Sequence, residues 1–351
     1  MNATKDARRW RRRLLLLGTA AFVALVCAEI AARVALAVLN SMPPKAPTAD
    51  HDVLLVELLQ QAEDPDIVYE LQPDLDCRFQ GVAVHTDSHG NRGPEQSVEK
   101  PANGFRILGL GDSVLFGWGV ERAQCGLADL ERRLAARLPG RAVSTINTGV
   151  PGYNTAMQAA VLRSKGVAWK PDVVLLDFVG NDLELPNFLR APANFWRLDH
   201  CYLRDLALRA WRSSWLDPRT PFVWAPGDGA GHFESDPALV PPEYRHLVGL
   251  DGFRRGLESI LATAKAHGFR VLVTSHHDLP AEVAAIVAAT GAATVSVGPR
   301  VRSWLAANHV RSYLGSELTL SATDPHPTPM LHDWWAEAVF AKLDELGWLP
   351  E

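Results

Sequence analysis

Cysteine and methionine are scarce in this 351-residue chain, with four of each. Beyond residue 40 only Cys77, Cys125 and Cys201 remain. Their wide spacing excludes a disulfide framework and any metal signature, and leaves packing as the expectation for each thiol. No metal ligand set and no cofactor is expected. No internal repeat is present. Positive charge is also missing where a nucleic acid would need it. The first thirteen residues carry six positive side chains and one negative, a net of +5; with −5 for the whole chain, the remainder holds about −10. An acidic domain of this kind is a poor partner for nucleic acid.

What is present begins with a long uncharged run. Lys5, Arg8, Arg9 and Arg11 to Arg13 precede Leu14 to Ala28, which carries no charge. Glu29 and Arg33 interrupt, four apart and therefore on one helix face, before Val34 to Leu39 resumes. As a helix, 14–39 would extend about 39 Å, enough for a bilayer and its interfaces. This predicts a cytoplasmic basic segment (1–13), a single-pass anchor (14–39) and everything after residue 40 outside, in the periplasm if the cell is Gram-negative. A cleaved signal peptide is the alternative, with Ala35-Leu36-Ala37 as its site. Val26 before Cys27 does not suit a lipoprotein signal, and Arg8-Arg9 lacks the rest of a twin-arginine signal.

The remainder is 104–351 with a run-up. Residues 40–67, opening on Ser41-Met-Pro-Pro-Lys-Ala-Pro-Thr, read as a linker. A small β-rich preamble, 68–103, follows, with short strands at 68–71 and 82–85. Strands are then predicted at 105–110, 142–147, 172–177, 269–274 and 294–297. Helices are predicted at 122–138, 154–168, 251–267, 280–290, 299–307 and 330–346. Such alternation argues an α/β fold, a three-layer α/β/α sandwich about a mostly parallel five-stranded sheet. The stretch 183–250 breaks the rhythm and holds Trp196, Trp211, Trp215 and Trp224. It reads as an insertion whose tryptophans either pack or line a lid or acceptor site.

Chemistry gathers at strand ends. Arg106-Ile-Leu-Gly-Leu-Gly-Asp-Ser113 is an apolar run ending in a turn that presents a hydroxyl at the carboxyl edge of the sheet. A serine needs a base and a carboxylate that orients it; Asp324-Pro-His326-Pro327 offers both. Asn147-Thr-Gly-Val-Pro-Gly152 and Gly180-Asn181-Asp182 follow two further strands, where a backbone N–H and a side-chain amide suit an oxyanion. Asp112 and Asp182 read as braces for their turns. His332 competes with His326 for the role of base, but the His-Pro step favours His326, and His276-His277-Asp278 reads as loop residues near the rim.

These four blocks, in this order, resemble the SGNH (GDSL-type) hydrolases, and membrane-anchored bacterial members in particular, over roughly residues 104–346. The resemblance implies an SGNH/flavodoxin-like sandwich, Ser113 as nucleophile, His326 as base and Asp324 as its orienting carboxylate. It implies an oxyanion hole from the Ser113 and Gly152 amides and the Asn181 side chain. Two departures stand out: Thr323 occupies the place three before His326 where the family sets its Asp, and Val179 stands where the third block has glycine. The implied activity is a serine esterase or deacetylase acting on an O-acyl ester of carbohydrate or lipid at the cell envelope. An O-acyltransferase of cell-surface polysaccharide and a non-catalytic carbohydrate-binding or assembly protein are the alternatives.

Overall fold

Apolar runs without polar alternation, such as Ile107–Leu110 and Val173–Leu176, form strands only where both faces are covered. In the computed structural model both are buried at the centre of one sheet. The structure describes residues 3–41, 52–191, 196–198, 200–211, 221–228 and 231–351. Trp215 and most of the proline-rich start of the expected linker lie outside them.

In chain order the elements are α1 (Ala3–Ser41), β1 (Leu59–Gln61), β2 (Tyr69–Leu71), β3 (Asp76–Phe79), β4 (Val82–His85), β5 (Gly104–Leu110), α2 (Ser113–Phe116), α3 (Gly126–Arg137), β6 (Ala142–Asn147) and α4 (Thr155–Ser164). There follow β7 (Val173–Asp177), β8 (Phe188–Arg190), α5 (Tyr202–Trp211), β9 (Phe222–Trp224), α6 (Gly249–His267), β10 (Arg270–Ser275), α7 (Ala281–Thr290), β11 (Ala293–Ser296), α8 (Gly298–Ala307) and α9 (Pro329–Glu345).

The chain divides into two compact units, Met1–Ala46 with Ala191–Pro221, and Pro47–Arg190 with Phe222–Glu351. The larger is built on a five-stranded parallel sheet in the order β11-β10-β7-β5-β6. On one face α3 and α9 bury Leu127, Leu130, Leu134, Leu331, Trp335 and Val339 against Ile107, Val173 and Leu175. Helices α4 and α6 pack on each other, and Gly256 of α6 lies against the Thr155 backbone so closely that a Cβ there would stand 2.8 Å from its carbonyl oxygen. This is the three-layer α/β/α arrangement expected, and the five strands fall within about one residue of their predicted bounds.

The run-up is more ordered than a linker. Residues Leu55–Leu58 form a 3-10 turn, and β1 pairs antiparallel with β2. Strand β3, absent from the sequence reading, pairs with β4. The inserted stretch is divided: β8 and β9 pair within the larger unit, while 191–221 belongs to the smaller.

In the smaller unit α1 carries the apolar span Trp10–Val38, one helix long and apolar enough to cross a membrane. A signal sequence meets the same criterion. Arg33 pairs with Glu29 at 2.9 Å, and the Glu29 carboxylate accepts the first N–H groups of α5, Tyr202 at 2.9 Å and Leu203 at 2.8 Å. Those donors lack helical partners of their own. Ala32, Leu36 and Tyr202 close the contact.

Candidate active site

Strand β5 runs out at Leu110, and Gly111-Asp112 turns the chain into the single helical turn α2. Asp112 caps that turn: its Oδ1 accepts the Val114 N–H at 2.8 Å, satisfying a donor the short helix leaves open. Ser113, first in the turn, is 9% exposed. The turn closes at Gly117, whose φ of +88° favours glycine and whose Cα faces the Cys125 sulfur without room for a side chain.

Ser113 Oγ lies 2.9 Å from His326 Nε2, and His326 Nδ1 lies 2.6 Å from Asp324 Oδ1. An ionised carboxylate only accepts, so Nδ1 carries the ring proton and Nε2 presents its lone pair to the serine hydroxyl. The two-residue spacing thus reaches as far as the chemistry needs. It does so within one loop, where Asp324 Oδ1 also accepts the His326 backbone N–H at 3.0 Å. Partial burial works to raise the Asp324 pKa, but hydrogen bonds from the His326 ring and backbone, the charge of that ring and the Trp118 N–H together hold it below its ordinary value. The serine hydroxyl has a second, longer contact, to Asp112 Oδ2 at 3.2 Å. Burial pushes the Asp112 carboxyl up, against the Val114 N–H, His326 and the Asn181 side chain, which act to lower it.

The remaining blocks stand at neighbouring strand ends. Gly152, after β6, has a φ of +82°; a Cβ there would lie 2.5 Å from the Asn187 amide and 2.7 Å from the Tyr69 hydroxyl. Asn181 sits in a 3-10 turn after β7, close enough to Asp112 to hydrogen-bond its carboxyl. Among the described residues, neither the Ser113 nor the Gly152 backbone N–H has an acceptor. Asp182 braces its turn as expected, accepting the Val179 N–H and the Gln158 amide at 2.7 Å each.

One histidine reading is corrected. His276 is no rim residue: it is 3% exposed, stacked on Trp335 and 3.5 Å from Asp177 Oδ2. The imidazole that meets the serine is His326, as the sequence favours, and His332 is 1% exposed. Burial, with His276, Arg92 and His326 nearby, pushes its pKa far down, so it stays neutral.

Three neighbours escaped the sequence reading. The Trp118 indole stacks on the His326 ring, centroids 4.7 Å apart and planes 10° from parallel, and its Nε1–H donates to Asp324 Oδ2 at 3.3 Å. Arg92, 4% exposed, donates to the carbonyls of Phe116, Gly117 (2.6 Å) and Val120 (2.9 Å). The Tyr69 hydroxyl donates to the Pro151 carbonyl at 2.9 Å, beside Gly152. The one signal for Trp118 was its place between two glycines after the serine block; Arg92 and Tyr69 lie far upstream with none.

The model of the GDSL-like Lipase/Acylhydrolase family matches residues 110–333. The chain belongs to this family. It is an SGNH-type serine hydrolase acting on ester bonds. Among solved structures it is similar to TesA (18% identity, TM-score 0.40, covering 69% of this chain and 99% of that one). It is also similar to the lipase/acylhydrolase from Enterococcus faecalis (15%, 0.40, 69% and 96%) and to the acetylxylan esterase Axe2 from Geobacillus stearothermophilus (14%, 0.41, 73% and 100%). No curated protein matches it.

Proposed function

We propose that this hydrolase cleaves an O-acyl ester of a carbohydrate or lipid at the cell envelope through an acyl-Ser113 intermediate. The observation that carries the reading is the unbroken hydrogen-bonded chain from Ser113 Oγ through His326 to Asp324. His326 Nε2 takes the hydroxyl proton as Oγ attacks the ester carbonyl, and Asp324 steadies the imidazolium that forms. The oxyanion falls to the Ser113 and Gly152 N–H groups and the Asn181 side-chain amide, two of them free of acceptors among the described residues. Collapse of the tetrahedral species breaks the ester C–O bond, and the departing alkoxide receives the proton from His326. Water, deprotonated by the same imidazole, then releases the acid and restores the serine.

The location rests on α1. Its 29-residue candidate span, with the basic cluster at and before its N-terminal end, supports a membrane anchor with 1–13 cytoplasmic and the hydrolase domain (104–351) outside.

The test uses the full-length chain in detergent with p-nitrophenyl acetate. Wild-type protein is expected to release nitrophenol, and Ser113→Ala to lose at least about 1000-fold in kcat. Full activity in Ser113→Ala would overturn the reading. Added acetylated oligosaccharide should yield free acetate; transfer of acetyl to an added sugar hydroxyl instead of water would make the enzyme an acyltransferase.

A further inference from the structure

The backbone of the Asp324–His326 pair is held within its own loop, by Ser321 and Leu320, while its side chains have few partners outside that loop. Both residues lie on one loop, with side chains 28% and 19% exposed. Asp324 Oδ1 is committed twice, to the ring Nδ1 and to the backbone N–H of the same histidine. Neither bond fixes the pair relative to the serine, because both are internal to the loop. The second oxygen, Oδ2, is what an outside group can grip, and among the described residues the one side chain that donates to it is Trp118.

Trp118 grips the ring as well. Its indole lies flat on the imidazole, closing one face and leaving the in-plane direction to Ser113 open. The indole is itself fixed from two sides. Its backbone N–H donates to the Ser113 carbonyl at 3.0 Å, and the Phe79 ring meets it edge-on at 4.7 Å. The flanking residues Gly117 and Gly119, at φ +88° and +67°, permit the tight turn that swings the side chain back over the site. One residue thereby ties the backbone of the serine to the ring of the histidine and to the free oxygen of the carboxylate.

We propose that Trp118 is a positioning residue, which aligns His326 with Ser113 by stacking on the imidazole and anchoring Asp324 through its indole N–H. The inference rests on the catalytic roles proposed above. Trp118 supplies a tie from outside the loop: the bonds from Asp324 Oδ1 orient the ring, and the indole links both side chains to the serine turn. The flat indole face also favours the imidazolium formed during attack. A ground-state ester that has not yet reacted gains nothing from either contact, so the effect belongs in kcat rather than KM.

The experiment compares Trp118→Phe, which keeps a ring face and loses the N–H, with Trp118→Leu, which loses both. Each is made in the full-length chain and in an Asp324→Ala background, with Ser113→Ala as the floor. Steady-state hydrolysis of p-nitrophenyl acetate and thermal unfolding are the readouts. Trp118→Phe is expected to lower kcat about tenfold and Trp118→Leu about 100-fold, with KM changed less than about twofold. In the Asp324→Ala background Trp118→Phe should cost less than about twofold, since the N–H has lost its acceptor. Losses that fall on KM, or that repeat in full without Asp324, would overturn the proposal and leave a packing role. Wild-type kcat in both single variants would overturn it too. Should Trp118→Leu unfold, Trp118→Phe and its double variant still decide the matter. A Ser113→Ala enzyme that keeps its activity sinks the reading of the site; an inactive Ser113→Ala beside unaffected Trp118 variants sinks only the role of Trp118.

Discussion

One proton on Ser113 faces two acceptors, His326 Nε2 at 2.9 Å and Asp112 Oδ2 at 3.2 Å. The shorter contact is the productive one, and Asp112 keeps Oδ1 on the Val114 N–H, so its main work is to cap the turn. The proposed oxyanion donors are individually testable. Asn181→Ala should lower kcat about 100- to 1000-fold at little cost in KM, measured on p-nitrophenyl acetate. Gly152→Ala should be as damaging for a different reason: at φ +82° any side chain is strained, and here it would meet the Asn187 amide and the Tyr69 hydroxyl. The serine, histidine and aspartate were legible because each sits in a short local motif, the serine at a strand end and the other two just before the last helix. Trp118 was not, since its value depends on a loop two hundred residues away in sequence. The burial of His276 was hidden for a similar reason: what covers it is Trp335, on the last helix.

The single turn α2 is too short to hold itself, and its carbonyl end is met by a cation. Arg92 donates to the carbonyls of Phe116, Gly117 and Val120, and its guanidinium also lies 4.4 Å over the Phe116 ring. Burial lowers its pKa, with Cys125 and Glu121 acting to raise it. Arg92→Met would strip buried carbonyls of their donor, and should cost about 2–4 kcal/mol in urea unfolding and loosen the serine turn. The helices other than α2 and α5 were legible as periodic or apolar runs, and the five central strands as mainly apolar runs alternating with them. The short strands were not. Two of the three residues in β1 are glutamines, and β3 carries Asp76 and Arg78 on its open face, so neither announces itself locally. Strands β8 and β9 are three residues each and pair across the residues between 190 and 222, a partnership that no local pattern encodes.

At the scale of the whole molecule, acid should act on a histidine that takes no part in catalysis. His332 is buried and neutral, its pKa far below the ordinary 6.5. The unfolded chain therefore binds a proton that the folded one refuses. Stability from this group is whole above pH 6.5 and falls as the pH drops below it, by up to about 1.4 kcal/mol per pH unit until the folded pKa is reached. Melting temperatures from pH 7.5 to 5 should fall more steeply in wild type than in His332→Gln; parallel curves would show that the proton is taken up elsewhere.

The supports of the site also redraw where the enzyme begins. The family match starts at Leu110, yet Tyr69, Phe79 and Arg92 brace the Gly152 loop, the indole and the serine turn from upstream of it. A gene fragment cut to the matched segment would encode every reacting group and none of these struts. Domain exchange between such enzymes would have to carry the upstream hairpins along, because a joint at the family boundary falls on the last residue of β5, exchanges that central strand and strips the serine turn of its braces.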